Sequence, residues 1–112
     1  MPVTQFRAVC FTDFTLRKWS QNDLKENDIQ YVAYALETCP ETKKLHHQAW
    51  AYSEKKISFA AWKKKFMLLC GNCHFEQIKG SFASNEKYCS KSGELIEIGQ
   101  KPMESGQKRR RR

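Results

Sequence analysis

The sequence predicts an α+β domain: a five-stranded antiparallel sheet with flanking helices packed mainly on one face. Three observations predict it. Short runs rich in apolar and aromatic residues recur along the chain and read as strands. Helix start and stop signals fall between those runs. The length of 112 residues, 40% of them hydrophobic, suffices for one compact domain and not for two.

Residues 6–12, centred on Val9 and Phe11, read as the first strand. Ser20, with Asp23 three residues on, resembles a capping box and opens a short helix to about Glu26. Residues 29–37 form a second strand. A turn over 38–44 contains Pro40, and Leu45 to Ser53 form a third strand, so the second and third should pair as a hairpin. Ser58 caps a longer helix, with Phe59, Trp62, Phe66 and Leu69 at helical spacing and Gly71 as its stop. Residues 74–79 read as the fourth strand. Ser84 or Asn85 starts a short helix carrying Tyr88 and Lys91, and residues 95–98 are the last strand. The folded body spans residues 1–99. Residues 100–112 are polar and aperiodic, end in Lys108 and four arginines, and read as a flexible basic tail or the start of a linker.

Twenty Lys and Arg against twelve Asp and Glu give a net charge of +8. On a globular core, that excess points to a polyanionic partner. No stretch approaches the roughly 20 apolar residues of a membrane span, and the first residues carry no secretory pattern. Five cysteines, an odd number, argue for a reducing compartment. Cys70, Cys73 and His74 satisfy the C-x-x-C-H haem-attachment spacing. With no export signal and no second ligand pair, they read as packing or turn residues rather than a haem or zinc site.

Side chains alternate faces along a strand, so His46, Gln48, Trp50 and Tyr52 share one side of the third strand, and His47 the other. On the second strand Glu37 shares a side with Ala33 and Ala35, small residues that leave room for a ligand. If the hairpin pairs around its turn, Glu37 lies near His46. One imidazole, one carboxylate and one amide oxygen suit a divalent ion such as Mg²⁺ or Mn²⁺. His46 is in phase with Gln48, although a register slip would substitute His47. Tyr88 and Lys91, three apart on a helix, place a phenol beside an ammonium, a pairing suited to nucleophilic attack on a phosphodiester.

Taken together, these residues resemble the replication-initiator (Rep) family of small circular single-stranded DNA viruses, circovirus-like members especially. Cys10-Phe11-Thr12-Asp13-Phe14 resembles the family's first motif, with Asp13-Phe14 where Asn-Asn is usual. His46-His47-Gln48-Ala49 resembles the second, His-hydrophobic-Gln-Gly. Tyr88-Cys89-Ser90-Lys91 matches the third, Tyr-x-x-Lys. The resemblance implies an HUH-endonuclease fold, related to ferredoxin-like and RRM folds. It implies Glu37, His46 and Gln48 as ligands of Mn²⁺ or Mg²⁺, Tyr88 as nucleophile, and Lys91 as its phosphate-orienting partner. The substrate would be a single-stranded origin stem-loop, nicked through a 5′-phosphotyrosine link to start rolling-circle replication and later rejoined. DNA contacts are expected from Phe11, Thr12, Asp13, Trp50, Tyr52, Lys55 and Lys79. Family members continue into a helicase domain, so the full-length protein is expected to carry one and to have the option of oligomerising. Action in the host nucleus and no membrane association are expected. The alternative is a non-catalytic single-stranded nucleic-acid-binding module of RRM-like fold.

Overall fold

The computed structural model describes residues 5–71, 74–78, 82–90 and 94–102. In chain order they form β1 (Gln5–Asp13), α1 (Gln21–Glu26), β2 (Tyr31–Thr38), β3 (Leu45–Ser58), α2 (Phe59–Cys70), β4 (His74–Gln77), α3 (Phe82–Cys89) and β5 (Ile96–Gly99). The strands make one antiparallel sheet in the order β4-β1-β3-β2-β5. The expected α+β class is the class observed.

Local signals set the helix ends. The Ser20 hydroxyl accepts from the Asp23 amide, and the Asp23 carboxylate accepts from the Ser20 amide, closing the capping box of α1. Ser58 Oγ accepts from the Ala61 amide at the start of α2. Gly71, at φ 71°, ends it in a conformation that favours glycine. Arg17 ties these pieces together: its guanidinium donates to Leu69 O and to the Asp23 carboxylate.

One sheet face carries Val9, Phe11, Val32, Tyr34, Ala49 and Ala51, and it is covered by Trp19, Leu24, Trp62 and Phe66 from α1, α2 and the loop before α1. Phe66 packs 4.6 Å from Phe11 and 5.3 Å from Phe75, ring centre to ring centre. Burying each such side chain contributes roughly 1.5–3 kcal/mol. Two buried polar groups find partners here: Trp62 Nε1 donates to Phe6 O, and the Trp19 amide donates to Tyr34 Oη.

The opposite face is also covered, which differs from the expectation of helices mainly on one side. Helix α3 lies over it, with Cys89 and Phe82 packed against Ala8, Tyr31, Ala33 and Trp50. The short α3 has a weakly amphipathic sequence, and its side of the sheet is decided by the tertiary partner that Phe82 finds in Trp50, 4.9 Å away. The helix starts at Phe82, ahead of the expected Ser84 or Asn85. β3 runs past the expected Ser53 to Ser58 because Phe6 pairs with Ile57 after Ala8 pairs with Tyr52. The register shifts between these pairs, and the exposed Glu54, Lys55 and Lys56 sit in the strand without entering the core. Gln100, assigned by composition to the tail, is bonded to the body: it donates its amide to Gln30 O and accepts from Gln30 Nε2. The basic run 108–112 lies outside the described residues. Among the described residues no helix is long and apolar enough to cross a membrane.

Gly99 occupies φ 92°, and a Cβ there would lie 2.2 Å from Gln30 O and 2.6 Å from Leu24 Cδ2. Gly71 also has positive φ, but a Cβ there meets nothing within 4 Å. Gly99→Ala should therefore destabilise the fold by roughly 2–4 kcal/mol, and Gly71→Ala by only about 1–2 kcal/mol, in urea unfolding. Equal losses would contradict this account of β5 docking.

Candidate metal and nucleic-acid site

The β2–β3 hairpin pairs Glu37 with His46 and Ala35 with Gln48, and β1 pairs Thr12 with Gln48 on the other side. Alternation puts all of these side chains on the face that α3 partly covers. The closure is local: Cys39 and Lys44 exchange a backbone bond across the turn, and Lys43 takes φ 63° to make it.

His46 Nε2 lies 3.0 Å from Glu37 Oε1, with the two side chains only 9% and 12% exposed. The two atoms are within hydrogen-bond distance in a low-dielectric setting, which strengthens the contact. His46 Nδ1 is buried without a hydrogen-bond partner among the described residues. The exposed Phe14 ring lies 5.4 Å from the imidazole, and Lys44 Nζ lies 5.6 Å from the Phe14 ring. Next along β3, Gln48 Oε1 accepts from Thr12 Oγ1 at 3.3 Å. Ala35, which pairs with Gln48, is fully buried, and Gln48 itself is buried.

This donor set fits a hard or borderline divalent ion: one imidazole, one carboxylate and one amide oxygen on a single face. Among the described residues no three His, Cys, Asp or Glu side chains converge. Gln48, whose oxygen accepts from Thr12, is a further oxygen donor on this face.

His47 faces away. Its ring lies 4.7 Å from Tyr34 on the α1/α2 side of the sheet. Burial pushes its imidazole below the ordinary range, and the Asp13 carboxylate opposite it pulls only part of the way back.

Several residues expected to touch DNA are engaged otherwise. Phe11 is in the core. Asp13 is fully buried, and its carboxylate accepts from Thr15 N, Thr15 Oγ1 and Arg17 N, folding the loop after β1. Trp50 is 0% exposed beneath α3, and the half-buried Tyr52 packs edge-on against Phe82. Lys55 is exposed toward the far end of β3 from His46. Tyr88 is the penultimate residue of α3. Lys79 and Lys91 lie outside the described residues. Cys70 ends α2 and His74 opens β4 as an exposed residue, while Cys73 lies outside the described residues. The strand-pattern reading passed over Phe14 as a site residue. Its signal in the sequence is its place at the end of the first motif, just past a strand.

A protein-family model described as "Putative viral replication protein" matches residues 8–92. The replication-associated protein of human associated cyclovirus 1 is 32% identical over 96 residues, covering 83% of this chain and 33% of that protein. The replication-associated protein of Beak and feather disease virus is 45% identical over 51 residues, 46% of this chain and 16% of that protein. Para-Rep C1 of Faba bean necrotic yellows C11 alphasatellite is 32% identical over 85 residues, 76% of this chain and 29% of that protein. The chain spans about a third or less of the length of these curated relatives.

Asp13→Ala strands three donors in the loop after β1 and should lower unfolding stability by roughly 2–3 kcal/mol. Under conditions where the variant stays folded, its affinity for an oligonucleotide should match the parent's. A large affinity loss with little stability loss would return Asp13 to the DNA interface.

Proposed function

Because the chain belongs to the viral replication protein family, we propose that it is a single-stranded DNA endonuclease and strand transferase that opens a replication origin. One observation carries the reading. The Glu37–His46 pair and Gln48 share a sheet face with α3, the helix that bears Tyr88. A divalent-ion donor set and a tyrosine on one side of one sheet are the parts that metal-assisted phosphoryl transfer to a phenol requires.

Glu37, His46 and Gln48 would hold Mg²⁺ or Mn²⁺. The ion, when bound, supplies charge neutralisation at a non-bridging phosphate oxygen. His46 would ligate through a neutral imidazole nitrogen. Tyr88 Oη attacks the phosphorus in line. The Oη–P bond forms and the bond from phosphorus to the 3′ oxygen breaks. The phenol loses its proton to solvent or a neighbouring base, and the departing oxygen takes one up as a 3′-OH. The 5′ phosphate stays on Tyr88. Attack by a 3′-OH reverses each change and rejoins the strand with no external energy source, because the ester on Tyr88 preserves the bond. Lys91 places a cation three residues beyond Tyr88 to offset the charge that develops on the phosphate.

Burial of Trp50 removes the central aromatic platform that a purely binding, RRM-like reading needs. The net charge of +8 supports a DNA partner. The relatives' greater length supports a further domain, such as a helicase, in the whole protein, and oligomerisation would belong to that form. The run Lys108 to Arg112 supports work in the host nucleus.

The test is a denaturing-gel assay on a labelled single-stranded origin loop. With Mn²⁺ the parent should nick the loop and carry a covalent DNA adduct, and EDTA should abolish both. Tyr88→Phe should bind the loop with unchanged affinity while nicking at least about 10³-fold more slowly. An adduct that persists in Tyr88→Phe, or cleavage indifferent to EDTA, would overturn the mechanism.

A further inference from the structure

Helix α3 is held to the sheet by a polar cluster as well as by apolar contact. Tyr31 is 1% exposed, on β2, and its ring packs 5.1 Å from Trp50. Its hydroxyl lies 2.5 Å from Glu97 Oε1 on β5 and 3.3 Å from Glu86 Oε2 in the middle of α3. Lys101 Nζ, just past β5, lies 2.8 Å from the other oxygen of Glu86. One phenolic proton therefore faces two carboxylates, and one ammonium offsets their charge. Burial and the two carboxylates push the Tyr31 hydroxyl above its ordinary range, so it stays a donor at every working pH.

The geometry points to a positioning role: we propose that the Tyr31 hydroxyl, through Glu86, fixes the rotation of α3 over the sheet and thereby sets where Tyr88 stands relative to the Glu37–His46 pair. This rests on the reading of Tyr88 as nucleophile. Apolar contacts alone do not fix that rotation. Phe82 sits in the first turn of α3 against Trp50 and Tyr52, and rings can slide there at little cost. Hydrogen bonds are directional. Glu86 is two residues before Tyr88, and the buried Cys89 is one after it. The C-terminal turn is then closed by Ser90, whose amide and hydroxyl both donate to Glu86 O. The backbone that carries Tyr88 thus lies between a carboxylate held by β2 and β5 and a buried thiol. In-line attack tolerates little misplacement, so a small rotation should cost rate rather than affinity.

Tyr31→Phe keeps the ring and removes only the hydroxyl. Glu86→Gln keeps the shape and a bond-forming group, and serves as the conservative companion. Two readouts are needed. Backbone amide exchange over residues 82–90 should quicken by about tenfold in Tyr31→Phe, while β2 and β3 keep their protection. In nicking assays of Tyr31→Phe kcat should fall by about tenfold with KM for the origin loop unchanged, and Glu86→Gln, which keeps a bond-forming group, should lose less. Unchanged exchange over α3 overturns the proposal, as does looser α3 with unchanged kcat. Loss of protection across the whole sheet in both variants reduces Tyr31 to a structural residue and also overturns it. If the parent never nicks but α3 alone loosens, the hold on α3 stands and the nuclease reading is what fails.

Discussion

Strand β3 pairs along both edges, with β1 from Gln5 to Asp13 and with β2 from Tyr31 to Thr38, and the register of those two pairings governs the rest of the molecule. The side-chain period of a strand is two, so a slip by one residue would send every side chain of β3 to the other face. His46, Gln48 and Trp50 would then move into the α1/α2 core, and His47 and Ala49 would move beside Glu37. The slip would remove Trp50 from the pocket under α3 and Ala49 and Ala51 from the larger core. Packing therefore enforces the register, and the placement of the Glu37–His46 pair follows from it.

The two faces divide the work. The face under α1 and α2 is aromatic and closely packed, and Trp62 Nε1 bonds inward to Phe6 O. Asp13 and Arg17 belong to this side and shape the loop after β1. The other face is split along its length. At one end α3 covers Trp50 and Tyr31, and at the other Glu37 pairs with His46 beside Phe14, with Ala35, His46 and Gln48 buried.

Much of this was legible in the sequence because it is local. The capping residues Ser20 and Ser58, the stop at Gly71, the 2–3 hairpin and the opposite faces of His46 and His47 all follow from short-range rules. What was not legible depends on contacts between distant residues. The side taken by α3 is set by Phe82 meeting Trp50. The extension of β3 is set by Phe6 recapturing Ile57. The burial of Asp13 and Trp50, read in sequence as DNA contacts, is set by a loop and a helix that close over them. A motif marks which residues matter, but it does not distinguish one that touches a ligand from one that builds the surface around it.

The claim on which everything functional rests is that the hairpin register assembles a divalent-ion site from Glu37, His46 and Gln48. Mn²⁺ binding followed by electron paramagnetic resonance tests it without any need for catalysis. The parent should bind a single Mn²⁺, and His46→Ala and Glu37→Gln should each weaken that binding by about tenfold or more, while His47→Ala leaves it unchanged. Mn²⁺ binding that survives loss of His46 and Glu37, or that vanishes with His47 alone, would contradict the account.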